Sequence, residues 1–302
     1  MASNLAADPL FRVDGMVAVV TGGGTGIGLM MTRALATNGA AKVYILGRRL
    51  EPLQEASKEN PSVIIPVQCD VTSKQSLQAA VDRITSETGF VNLVIANSGV
   101  LGPLNRWEPQ LSVAEARKKM FEDMAMEDMT HVLHVNTTAA FFTMTAFLEL
   151  LDAGNKNALK GGFGKPIAAG SDVPSVQSQV IFTSSVGAFS RHAASTPAYA
   201  SSKAALAHLT KHSANNLAKY SIRVNALAPG LFPSELASSL IGARDPGKEA
   251  PTDDKFIPSR RFGGAEEMAG AILYLASRAG GFTNGAIILN DGGRASVMQA
   301  SY

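Results

Sequence analysis

The sequence predicts a three-layer α/β fold built on a parallel sheet, and three observations carry that expectation. Seven short apolar runs of strand length recur along the 302 residues, and helical spacing fills most of the gaps between them. The first run feeds directly into a glycine cluster that opens a helix. The length admits one large domain or two small ones, and no repeat, low-complexity tract or other feature marks a second. The expected architecture is a single domain (1–302), Rossmann-type and doubly wound, with helices on both faces of a seven-stranded parallel sheet.

Each element follows from its spacing. The run MVAVV at 16–20 is continuously apolar, as a parallel strand covered on both faces must be. From 26 to 38, Ile27, Met30, Met31, Ala34 and Leu35 form a helical stripe that Gly39 ends. Runs at 43–46, 63–67 and 93–96 repeat the strand pattern, with helical stretches starting near Leu50 and Ser73 between them. One long helical region is expected from about Met126 to Leu151, a fifth strand at 179–185 and a helix from about Ala198 to Lys219. Strands six and seven fall at 222–228 and 286–290. Two segments read as additions to this core. One is an exposed loop over about 154–178, rich in Gly, Pro, Ser and Lys; the other is a proline-punctuated lid over about 230–262 with a helical patch at 235–241.

A formal net charge of +2 argues against a surface built for nucleic acid or an anionic membrane. Cys69 is the sole cysteine, so no intrachain disulfide can form. Residues 1–15 carry Asp8, Pro9 and Asp14 and lack the apolar core of a secretion signal. The most apolar helical stretch, 137–151, is too short and polar to cross a bilayer. A soluble, cytoplasmic protein is expected, with no membrane or nucleic-acid partner.

The segment TGGGTGIG, from Thr21 to Gly28, joins the first strand to the first long helix. Free N–H groups at a helix N-terminus attract a pyrophosphate, and glycine lets backbone come close to it. Gly22, Gly26 and Gly28 give T-G-x-x-x-G-x-G in place of the usual G-x-G-x-x-G. About 20 residues on, where an NAD enzyme tends to carry an acid for the ribose 2′-hydroxyl, stand Arg48 and Arg49. A guanidinium pairs with a 2′-phosphate, so NADP is favoured over NAD, with Arg48 the preferred contact.

Tyr199 and Lys203 stand four apart at the start of a helix and so share one face. A free phenol is a poor acid at neutral pH, and a nearby ammonium lowers its pKa. Ser184 and Ser185 end the fifth strand, at the sheet edge where ligands bind, and a hydroxyl there can donate to a developing oxyanion.

Together these residues resemble the short-chain dehydrogenase/reductase superfamily from about Met16 to Gly293. Thr21, Gly22, Gly24, Thr25, Gly26, Ile27 and Gly28 resemble its cofactor turn. Asp70 and Val71 resemble its adenine-contacting pair, and Asn97-Ser98-Gly99 stands where N-A-G is frequent. Asn136 matches the asparagine that links the catalytic lysine to a water chain. Pro229-Gly230 matches the turn facing the nicotinamide, with Phe232 and Ser234 following on the lid. The resemblance implies a ketoreductase-like enzyme using NADPH or NADP. Tyr199 is its general acid, and Lys203 tunes the phenol and binds the ribose hydroxyls. Asn136 holds the proton relay. An ungapped fit selects Ser185 as the oxygen-holding serine, whereas placing Gly187 on the family's glycine selects Ser184; Ser185 is taken on hydrogen-bond reach. Homodimers or homotetramers are implied, through 126–151 and 198–219.

His208 with His212, and His131 with His134, lack a metalloprotease context or a recognisable third ligand, so no metal is expected. His192 and Trp107 are open between substrate contact and solvated or packing roles. Leu231, Phe232, Leu236, Leu240 and Ile241 make the lid apolar, which points to a largely uncharged carbonyl or alcohol substrate or else to an oligomer contact. The alternatives are a non-catalytic NADPH-binding regulator, or enoyl reduction, dehydration or cyclisation on the same scaffold.

Overall fold

The computed structural model describes residues 5–301. A short helix α1 (Ala7–Phe11) precedes β1 (Val17–Thr21), α2 (Gly26–Thr37), β2 (Lys42–Gly47), α3 (Leu50–Ser57), β3 (Ile64–Gln68), α4 (Lys74–Glu87) and β4 (Leu93–Ala96). Helices α5 (Val113–Arg117), α6 (Met126–Leu133), α7 (Ala139–Ala146) and α8 (Leu148–Leu159) lead to β5 (Gln179–Thr183). The chain closes with α9 (Pro197–Leu217), β6 (Arg223–Pro229), α10 (Ser238–Ile241), α11 (Ala265–Ala276), β7 (Ile287–Asn290) and α12 (Arg294–Val297).

The seven strands form one parallel sheet in the order β3-β2-β1-β4-β5-β6-β7. Side chains alternate across it, and both faces are dry. Val17, Val19, Tyr44 and Leu46 pack with Leu77 and Ile84 of α4, Met144 of α7 and Leu206 of α9. Ala18, Val20, Val43 and Ile45 pack on the other face with Met31 and Leu35 of α2 and Ile272 and Leu275 of α11. Burial on both sides explains why these strands read as unbroken apolar runs. Strand order reverses between β1 and β4, so the crossovers part there and leave a crevice beyond the carboxyl ends. Register keeps those ends level: Val20 pairs with Ile95, Ala96 with Phe182 and Thr183 with Leu227.

Three sequence boundaries move. The helix expected over 126–151 is interrupted by a π-helical turn, His134–Thr138, and again at Phe147. The loop expected from 154 begins only after Leu159, because α8 continues through Gly154 and Asn155, both buried. A Cβ on Gly154 would collide with the Val91 carbonyl oxygen, so this glycine serves close packing rather than a turn. Asn155 then ties the far end of the loop: its Oδ1 accepts the Ser178 N–H at 2.7 Å, and its Nδ2 donates to the Ser221 carbonyl at 2.8 Å. The lid's helical patch shortens to α10.

Candidate active site

Thr21 ends β1 buried, and its hydroxyl accepts the N–H groups of Asn97 at 2.9 Å and Ser98 at 3.0 Å. Asn97 Nδ2 returns a bond to the Thr21 carbonyl at 3.0 Å. The two strand ends flanking the switch point are thereby clamped together. Gly26 takes φ +52°, and a Cβ at Gly28 would collide with the Gly22 carbonyl oxygen, so the turn requires glycine at both positions. Thr25 caps α2 without a side-chain hydrogen bond. The first N–H groups of α2 therefore face the crevice with no side-chain acceptor from their own cap.

A cavity of about 810 Å³ spans the carboxyl ends of β1, β4, β5 and β6. Its wall carries every expected site residue except two, Thr21 and Asn136. Thr21 is withdrawn from the wall because its hydroxyl is turned inward as the strand clamp described above. Asn136 lies behind Gly99, where a Cβ would come 3.1 Å from Asn136 Oδ1 and 3.5 Å from Lys203 Nζ.

At one end of the cavity Arg48 lies beside Asp70. Asp70 accepts from the Thr72 hydroxyl at 2.7 Å and the Thr72 N–H at 2.9 Å, which hold its carboxyl below the ordinary carboxylate range, with Arg48 adding to that effect. Arg49 forms an ion pair with Glu235 of the lid at 2.7 Å, both side chains largely exposed. The two arginines thus have different employments, one open and one bridging to the lid.

The other end gathers Ser185, Tyr199 and Lys203, with Asn136 behind them. Lys203 is buried, its Nζ donates to the Thr183 carbonyl at 2.8 Å, and burial pushes its pKa down to about 8. Its ammonium lies 5.6 Å from the centre of the Tyr199 ring, as the four-residue spacing requires. Burial pushes the Tyr199 phenol up, and a side-chain hydrogen bond with Ser185 opposes that rise. Ser185 Oγ also accepts the Gly187 N–H at 3.0 Å. Ser184 points away, donating to the Lys203 carbonyl at 2.9 Å. Asn136 is wholly buried on the π-helical turn: its Oδ1 accepts the Val100 N–H at 2.8 Å, and its Nδ2 donates to the Val100 carbonyl at 2.9 Å and Ser202 Oγ at 3.0 Å. The turn fixes one amide against the β4 loop and α9 together.

The segment after β6 lines the same cavity with Leu231, Phe232 and Ser234. Phe232 is buried against Gly263, where any Cβ would strike its ring. Ser234 approaches the glycine turn closely enough that a Cβ on Gly26 would lie 2.9 Å from its own Cβ. His192 lies on the wall, whereas Trp107 is more than half exposed and off it. The His208 and His212 rings stack at 6.3 Å, and among the described residues no three metal-ligating side chains cluster. Sequence reasoning did not single out Leu101, Val186, Lys255, Arg294 or Met298, all on the wall. They come from loops and the chain's end, where no periodicity marks a cavity-facing side.

Residues 16–161 match the family described as short chain dehydrogenase, and 165–295 match one described as enoyl-(acyl carrier protein) reductase. The chain is 61% identical to "Short-chain dehydrogenase/reductase SAT3" of Stachybotrys chartarum, over 90% of this chain and all of that one. It belongs to the short-chain dehydrogenase/reductase superfamily. Among solved structures, a 7α-hydroxysteroid dehydrogenase complexed with NADH and 7-oxo glycochenodeoxycholic acid is 26% identical with a TM-score of 0.75, over 96% of this chain and 98% of that one. A gluconate 5-dehydrogenase from Burkholderia cenocepacia J2315, in complex with NADP and tartrate, is 27% identical with a TM-score of 0.73, over 96% and 99%.

As a short-chain dehydrogenase/reductase, the protein is an oxidoreductase acting on CH–OH or C=O groups of small molecules, with a nicotinamide cofactor. The residues present fit that cofactor. The glycine cradle is open where a side chain would fill it, and two buried polar atoms of wall residues, Asn97 Oδ1 and Thr183 Oγ1, have no hydrogen-bond partner. Among the described residues no helix is long and apolar enough to cross a membrane.

Proposed function

We propose that the protein is an NADPH-dependent reductase of a ketone or aldehyde in a largely apolar small molecule, or catalyses the reverse oxidation. The observation that carries this is the convergence of Ser185, Tyr199 and Lys203 on one stretch of cavity wall, with Asn136 directly behind. A nicotinamide held here would supply or accept the hydride. Gly22, Gly24, Thr25, Gly26, Ile27 and Gly28 would hold the pyrophosphate, and Asp70 with Val71 the adenine. Asn97, Ser98, Gly99, Pro229, Gly230, Phe232 and Ser234 would hold the nicotinamide half. Arg48, which faces no carboxylate as close as Arg49's Glu235, is the better ligand for a ribose 2′-phosphate.

The chain's own residues manage the proton. A phenol whose pKa burial raises is protonated at neutral pH, the form a general acid needs in reduction. Ser185 and Tyr199 hold the carbonyl oxygen as negative charge develops, and Tyr199 then donates its proton to it. Lys203, charged below about pH 8, stabilises the phenolate left behind and binds the ribose hydroxyls. Asn136 anchors the route by which a proton returns to Tyr199. Leu101, Leu236 and Leu240 on the wall favour an apolar substrate body. The lid over 230–262 covers the site, and α6–α8 with α9 form the contacts of a homodimer or homotetramer in the cytoplasm.

The match of 165–295 favours one second reading, enoyl reduction. A panel of ketones, cyclic enones and secondary alcohols with NADPH, NADH and their oxidised forms separates the two. Carbonyl reduction with NADPH preferred over NADH, the preference shrinking in Arg48→Ala, is expected. Saturation of the enone C=C alone would select the second reading. Tight cofactor binding with no turnover of any compound would leave only a cofactor-dependent regulator.

A further inference from the structure

A group of cations on the cavity wall has no part in the chemistry above. Arg294, from α12, donates to the Phe256 carbonyl at 3.0 Å and to the Asp254 carbonyl, and so clamps the tip of the lid on both sides of Lys255. Lys255 lies on the cavity wall, and among the described residues its ammonium has no hydrogen-bond or ion-pair partner. His192, in the loop between Ser185 and Tyr199, has its Nε2 3.8 Å from Asp254 Oδ1, which brings the clamp next to the catalytic loop. Its Nδ1 accepts the Ala194 N–H at 3.2 Å, so in the neutral ring Nε2 carries the proton.

Among the described residues none of the nearby carboxylates forms an ion pair with Lys255 or Arg294. Glu249 is occupied by two bonds to Arg244, at 2.7 and 3.0 Å, and that pair is largely buried. Asp291 accepts the N–H groups of Gly293 at 2.9 Å and Ala295 at 2.7 Å. Asp254, Glu249 and Asp253 act on Arg294 only at a distance, and the Asp254 side chain is 82% exposed. Arg294 therefore bonds only to carbonyls while half-buried; burial, and after it the like charge of Arg244, hold its pKa down against the opposing pull of Asp254, Glu249 and Asp253. A partly desolvated cation without an ion-paired carboxylate is costly unless a ligand supplies the anion. Leu240, Ile257 and Met298 line the wall alongside.

We propose that the substrate is an amphipathic acid, with an apolar body along Leu240, Ile257 and Met298 and a carboxylate against Lys255 and Arg294. This rests on the reductase reading for the placement of the reacting carbonyl at Tyr199, but the anion site itself does not depend on turnover. It narrows the expectation of an uncharged substrate: the body is apolar and one end is not.

The test is titration calorimetry of the full-length protein, with and without NADP, using octanoate, methyl octanoate and 1-octanol as probes. Octanoate is expected to bind about fivefold or more tightly than the two neutral probes, and to weaken as salt rises. Lys255→Ala, a solvent-facing change that leaves the Arg294 clamp intact, should remove most of that preference, and Lys255→Arg should restore it. Equal binding of the three probes, no binding of any, or undiminished octanoate affinity in Lys255→Ala would overturn the proposal. Preferential octanoate binding by a protein that reduces no ketone would support the anion site while sinking the reductase reading. Where ketones are reduced, 7-oxooctanoate should show a lower KM than its methyl ester at similar kcat.

Discussion

Ser184 and Ser185 are adjacent in sequence, yet their hydroxyls face opposite ways, one to the Lys203 carbonyl inside the protein and the other to Tyr199 at the cavity. Ser185→Ala is expected to lower kcat for carbonyl reduction by about 10²–10³, the usual effect of removing an oxyanion donor. Ser184→Ala should leave kcat within about threefold and cost on the order of 1 kcal/mol of stability, read by denaturant titration. The reverse ranking would reassign the serine. On the proposed mechanism Lys203 sets the pH dependence. Its depressed pKa means the ammonium is present below about pH 8 and lost above it. The rate of reduction, kcat/KM, should be level below that point and fall as pH rises through it; a profile still level two units higher would remove Lys203's charge from the mechanism. At this scale the sequence was most legible where local periodicity holds. Tyr199 and Lys203 share a face because the helix repeats every 3.6 residues. Thr21 was expected on the cofactor turn, and its place as an inward strand clamp was not legible, since nothing in its neighbours tells which way its hydroxyl turns. Asn136 rested on resemblance alone.

The elements were read nearly to the residue where apolar runs are buried on both faces, as at Leu93–Ala96. The helical region after β4 was not, because a π-helical turn needs only one extra residue and leaves the apolar spacing almost unchanged. That turn carries Asn136, so the interruption lies at the residue proposed to anchor the proton relay. Gly154 misled for a related reason: glycine marks a turn in most contexts, and here it marks a tight approach to the Val91 backbone. The glycine turn itself yields a prediction at this scale. In Gly28→Ala the new methyl meets the Gly22 carbonyl oxygen, so either α2 or the turn must shift. Overpacking of this kind costs about 1–3 kcal/mol, and NADPH affinity, measured by fluorescence, should fall at least about tenfold. Unchanged affinity would mean that this turn does not hold the dinucleotide.

Across the whole molecule, the parallel sheet brings together residues that the chain keeps far apart. The reversal of strand order between β1 and β4 opens the crevice, and level strand ends bring 22–28, 97–99, 185–203 and 229–235 to one cavity. The topology was legible from the alternation of runs, because parallel strands require crossovers. The far wall, with Lys255, Arg294 and Met298, was not, because it is assembled by a lid and a chain end whose packing no local pattern encodes. Tyr199→Phe keeps the ring beside Lys203 and removes only the hydroxyl, so cofactor binding and turnover should separate. Measured on the same preparation, the Kd for NADPH should stay within about threefold of the parent while kcat for ketone reduction falls on the order of 10³-fold. A variant that retained kcat within tenfold of the parent would contradict proton transfer by Tyr199.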